Sequence, residues 1–130
     1  MSHGLASEDR SFRLQFEAGA YPADRFDHRA HLRLAYVYLV DSDVDTAYAQ
    51  MRDALHTFLR RNVVDTAKYH DTITKAWILA VRHFMERSPS SRSADAFIDA
   101  NPELLDSRIM MSHYSAELLF SATARTEFVE

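Results

Sequence analysis

The sequence predicts an all-α fold, a compact helical bundle of three or four main helices with shorter helices after them. Two observations carry that reading. Glycine occurs only twice and proline three times in 130 residues, all near candidate element ends. Between them, apolar residues recur at the helical spacing of three and four, with no sustained two-residue alternation. The length and the absence of a linker predict a single domain over residues 1–130, with residues 1–6 as a tail or an expression remnant.

Ser7 is positioned as an N-cap for a first helix over 8–18, with Phe12 and Phe16 as its apolar ridge. Gly19 closes it and Pro22 prevents its continuation. The organising segment is residues 26–39, opened by Asp24 or Asp27 as cap and apolar on nearly every side after His31. Such a helix runs through a domain and not along its surface. Asp41-Ser42-Asp43 forms a turn, and Ser42 with Asp45 reads as a capping box for the third helix, which ends near Asn62. Its inward stripe is Val44, Ala47, Met51, Ala54, Leu55, Phe58 and Leu59. Asp65 or Thr66 begins a fourth helix that stops before Pro89 and carries Ile73, Trp77, Ala80, Val81 and Phe84 inward.

Residues 88–93 are serine-rich and read as a mobile loop. A short helix over 93–100 carries Phe97 and Ile98. Asn101 then caps another, with Pro102 at its first position and Leu104, Leu105, Ile109 and Met110 turned inward. His113 and Tyr114 follow, then Leu118, Leu119 and Phe120, with Ser121 capping a last turn.

Charge and composition restrict the function. The net charge of −4 excludes a general affinity for nucleic acid, and Arg60-Arg61 is a solvated helix end. No apolar run approaches the length needed to cross a bilayer, and the first twenty residues hold too many charges for a signal-peptide core, so the expected compartment is the cytoplasm. Without cysteine, any metal must be held by histidine, carboxylate, tyrosine or water. No phosphate-cradling glycine loop or haem signature is present.

Chemistry therefore rests on the histidines. His3 reads as tail, His56 as surface, and His83 as a structural residue beside the core stripe of its helix. His28 and His31 project from one face of a buried helix, and His70 lies on the inward face of the fourth helix near its N-terminus. That location lowers the pKa of an imidazole and keeps it free to bind a metal. The expectation is a mononuclear iron, zinc or copper centre with His28, His31 and His70 as ligands, completed by His113 or a carboxylate. Asp71 is placed behind His70 as an orienting group, because neighbouring helical residues point about 100° apart. Glu17 and Asp27 are further acids, and Tyr36, Tyr38, Tyr69 and Tyr114 are available phenols. Ferritin-like, hemerythrin-like and zincin spacings are absent.

The blocks Phe26-Asp27-His28-Arg29-Ala30-His31-Leu32-Arg33-Leu34-Ala35, Tyr69-His70-Asp71-Thr72-Ile73-Thr74, Asn101-Pro102-Glu103-Leu104-Leu105-Asp106 and His113-Tyr114-Ser115 resemble a group of small bacterial helical proteins of uncharacterised activity. That group shows F-x-H-x-x-H and Y-H-E-T-I-T blocks, and Asp71 stands here where glutamate is usual. The resemblance implies which residues matter and implies no reaction.

Three functions fit. The first is an enzyme acting on a small molecule at that metal centre. The second is a metal-independent enzyme with His70 and Asp71 as base and His28 or His31 as acid, for an isomerase, hydrolase or cyclase step. The third is a non-catalytic regulator or assembly protein with structural histidines. There, Tyr36, Tyr38 and Tyr48 would form an exposed aromatic interface compatible with a homodimer.

Overall fold

The computed structural model describes residues 3–61 and 71–106, with the side chains of residues 71–73 left out. Five α-helices follow in order: α1 (Ser7–Glu17), α2 (His28–Asp41), α3 (Val44–Arg61), α4 (Asp71–Arg87) and α5 (Ala94–Ala100). A 3-10 turn precedes α2 (Ala23–Arg25) and another follows α5 (Pro102–Leu105). There is no strand among the described residues, so the fold is all-α.

The second helix is the axis. It packs against α1, α3, α4, α5 and the last 3-10 turn. Leu32, Leu34, Ala35, Tyr36, Val37, Tyr38 and Leu39 along it are all buried, as its apolar circumference requires. Asp27 caps it, accepting from the Ala30 amide at 2.9 Å. Around it, Met51, Leu55 and Phe58 of α3, Trp77, Ile78 and Val81 of α4, and Phe97 and Ile98 of α5 complete one core with Phe12 and Phe16 of α1.

The end of α1 explains Gly19. Its φ is 72°, and its amide donates to the Phe16 carbonyl while that of Ala20 donates to Gln15, so two otherwise orphaned carbonyls are satisfied. A β-carbon there would also come within 2.5 Å of the Arg61 side chain, packed across from the end of α3.

Several local expectations are corrected. The N-terminal residues 3–6 are not a tail: His3 Nε2 lies 2.7 Å from the Met85 carbonyl, and Gly4 and Ser91 are joined by a backbone bond of 2.7 Å. The same contacts tie down the serine-rich segment, where Ser88 is buried and Ser93 caps α5 by accepting from Ala96. Ser7 is the first residue of α1 and not its cap, which is Ala6. The α3 cap is Asp43, which accepts from Thr46 at 2.7 Å, and Ser42 is turned toward Gln50 instead. On α4 the buried stripe is rotated toward Ile78 and Met85, with Ala80 and Phe84 only half-buried. Leu105 is exposed, because the tight turn points only Leu104 inward. The Asn101 side chain bonds Phe97 and Ser88 rather than capping the residues after it. Of the remaining histidines, His83 is exposed beside Arg87, and His56 is half-buried rather than fully exposed. The expected start of the fourth helix at Asp65 or Thr66, and the helices beyond residue 106, lie outside the described residues.

Candidate functional site

Asp27 fixes where α2 begins, so His28 is its first residue and meets α4 and the 3-10 turn after α5, while His31 follows three residues on. The His28 ring packs edge-on to Trp77 of α4, with ring centres 4.7 Å apart. Its Nε2 lies 2.9 Å from the carbonyl oxygen of Leu104. A carbonyl has no proton to give, so Nε2 carries the hydrogen and donates it.

His31 lies one turn deeper, tilted against Phe26 at 5.9 Å. Phe26 belongs to an aromatic cluster with Phe16 and Phe58, whose rings are 4.7 to 5.1 Å apart. Part of His31 reaches the surface, but its Nε2 is sealed from solvent and has no hydrogen-bond partner among the described residues. Burial, reinforced by the neighbouring His28, lowers its pKa from 6.5 to about 4. The imidazole is therefore neutral at physiological pH and unable to form a charge-assisted bond.

A buried imidazole nitrogen without a partner costs about 1–3 kcal/mol. Nitrogens left in this state are uncommon in folded proteins, and they are explained by strain, a catalytic role or a bound water or ion.

The other candidates divide cleanly. His70, His113, Tyr69 and Tyr114 lie outside the described residues, as does the side chain of Asp71. Among the described residues no three His, Asp or Glu side chains are grouped to hold a metal ion. Asp27 is occupied as the α2 cap, and Glu17 accepts from Arg13 and from Tyr38.

Tyr36 and Tyr38 are buried, which corrects their expected place in an exposed aromatic interface and removes their support for a homodimer. The Tyr36 hydroxyl donates to the Gly4 carbonyl at 2.8 Å, and burial with nearby Asp9 pushes its pKa up to about 12. Burial and Glu17 likewise raise that of Tyr38. Both phenols stay protonated and are bonded elsewhere, so neither is a ligand at neutral pH.

The sequence reading missed Asp9, which is 1% exposed. Its carboxylate accepts from the amides of Ala6 and Ala94 and from Arg33, each within 3.1 Å, so it joins α1, α2 and α5. Arg33 also lies over the Phe12 ring at 4.6 Å. This is a structural junction with its acceptors filled. Two open depressions, of about 560 and 260 Å³, are lined by neither His28 nor His31.

No family model matches the chain, and no curated protein or solved structure matches it. No described helix is long and apolar enough to cross a membrane.

Proposed function

We propose that the protein is an enzyme acting on a small molecule at a mononuclear transition-metal centre of iron, zinc or copper. His28, His31 and His70 are its ligands, and His113 or a carboxylate completes the set. The observation supporting this reading is His31: its ring is neutral at physiological pH, and its Nε2 is buried with no hydrogen-bond partner among the described residues. A metal ion in this position would act as Lewis acid or redox centre on a bound water or substrate. The protein's part is to keep the His31 imidazole neutral, to hold the His28 ring against Trp77, and to exclude bulk water with the Phe16–Phe26–Phe58 cluster.

The same observation weighs against the metal-independent reading in one respect. With a pKa near 4, His31 is not an imidazolium at neutral pH, so it lacks the acidic proton a general acid needs, and it is a weak base.

The deciding experiment is elemental mass spectrometry of the full, tag-free chain, as purified and after reconstitution with Fe(II), Zn(II) or Cu(II). A single tightly held ion per chain, lost in His31→Ala, is the expected result. Failure of all three metals to bind above the level of His31→Ala would end the proposal.

A further inference from the structure

The residues ahead of α1 lie against the end of α4, the serine-rich segment and α5, and a titratable ring holds them there. We propose that residues 3–5 form a pH-sensitive strap, closed while His3 is neutral and released when its Nδ1 takes up a proton. His28 and His31 take no part in it, so it stands apart from the metal-centre reading.

Four hydrogen bonds close the strap. His3 Nε2 meets the Met85 carbonyl at 2.7 Å, and His3 Nδ1 meets the Ser91 amide at 3.2 Å. The Gly4 amide donates to the Ser91 carbonyl at 2.7 Å, and the Gly4 carbonyl accepts from the Tyr36 hydroxyl at 2.8 Å. The two ring contacts select one protonation state. A carbonyl only accepts and an amide N–H only donates, so the ring is neutral, with its hydrogen on Nε2 and its lone pair on Nδ1. A proton added at Nδ1 sets two donors face to face, and the Ser91 amide loses its acceptor. Histidine is the side chain that changes charge between about pH 8 and about pH 5.

The groups around the ring do little to hold a cation. From α1 comes Asp9, whose oxygens are filled by Ala6, Ala94 and Arg33. From α2 comes Tyr36, whose pKa of about 12 keeps its hydroxyl neutral. The fifth helix presents Phe97 edge-on, and its acids Asp95 and Asp99 are paired with Arg29. Arg92 of the serine-rich segment lines the same open depression as His3 and adds like charge. On α4, Glu86 pairs with Arg82 and Arg87 meets His83, while the Met85 carbonyl in the last turn favours a cation. That helix-end attraction is smaller than the cost of stripping a partly buried amide of its acceptor.

Release has a defined extent. The Ala6 amide is anchored to Asp9 at 3.0 Å, so opening stops at the start of α1. It uncovers Tyr36, which is fully buried in the closed form and stacked on Phe97 with ring centres 4.9 Å apart. The strap is therefore a cover over an aromatic pair that acid exposes.

Nitrogen-15 NMR of the full, tag-free chain, titrated from about pH 8 to about pH 5, tests this. At the upper end His3 should carry its hydrogen on Nε2 and none on Nδ1. As His3 gains its second proton, amide exchange at Ser91 and Gly4, corrected for its intrinsic pH dependence, should rise at least about tenfold, while amides in the middle of α3 keep their protection. His3→Gln has no group at this position that titrates, so its exchange at Ser91 and Gly4 should not vary across the range. A His3 that titrates while both amides stay protected overturns the proposal. The same pH response in His3→Gln, or a hydrogen on Nδ1 at the upper end, overturns it as well.

Discussion

His3 and His31 are both held against aromatic rings inside the protein, and they are held in opposite ways. His3 has both nitrogens engaged: Nε2 donates to the Met85 carbonyl at 2.7 Å, and Nδ1 accepts from the Ser91 amide at 3.2 Å. Tyr36 and Phe97 meet its ring edge-on. His31 has an aromatic neighbour in Phe26 but leaves a sealed Nε2 with no partner among the described residues. The first arrangement is complete in itself and stabilises the fold. The second raises the free energy of the folded chain, a cost that a partner for that nitrogen would remove. The contrast extends to their surroundings, since Asp9 near the N-terminal side has its acceptors filled by three donors. Histidine content alone therefore says little about function, and the unfilled nitrogen says more.

The largest effect should come from breaking the completed side. Asp9→Ala removes a buried acceptor and leaves the Ala94 amide and the Arg33 guanidinium without it. The expected loss is about 4 kcal/mol in urea unfolding, the range for stripping one partner from a buried ion pair. A loss below about 1 kcal/mol would show that this side does not depend on its polar bonds, and the contrast would collapse.

The open side should reveal itself through pH. The folded-state pKa of His31, about 4, lies below its unfolded value of 6.5, so the unfolded chain binds the extra proton more readily. Its contribution is complete above pH 6.5 and falls away as the pH drops toward 4. Integrated over that window it amounts to at most about 3 kcal/mol. His31→Leu should flatten this part of the pH–stability curve. At pH 7 without metal it should also stabilise the protein by about 1 kcal/mol, because it removes an unsatisfied polar atom. An unchanged pH profile in His31→Leu would mean that the imidazole is hydrated and the site is not sealed.

The sequence disclosed the parts of this structure that depend on local pattern. The buried course of α2 followed from apolar residues on every side, and its start was narrowed to Asp24 or Asp27, of which Asp27 is the cap. The short α5 with its buried Phe97 and Ile98 was legible for the same reason. What stayed hidden depends on distant neighbours. Asp9 looks like an ordinary first-turn acid until Arg33 and Ala94, 24 and 85 residues away, come to meet it. Tyr36 and Tyr38 resemble interface residues until the Gly4 carbonyl and Glu17 satisfy their hydroxyls in the interior. The turn Asp41-Ser42-Asp43 offers three capping side chains, and only the path of the backbone selects Asp43. His28 and His31 could be chosen from spacing and burial. The bond from His28 Nε2 to the Leu104 carbonyl could not, because Leu104 lies 76 residues further on.

The smallest effect sharpens the comparison most. His3→Ala deletes two hydrogen bonds and two ring contacts at the edge of the core. Each bond is worth about 1 kcal/mol net, so the expected loss is about 2 kcal/mol. Amide exchange should localise it, with faster exchange at Ser91, whose N–H loses its acceptor, and at Gly4, whose bond to Ser91 is then held by fewer neighbours. Metal affinity should stay at the wild-type value, because His3 meets Tyr36 and Phe97 whereas His28 and His31 meet Trp77 and Phe26. A His3→Ala variant that lost metal with its stability unchanged would reverse the assignment, making the N-terminal histidine the ligand and His31 the structural one.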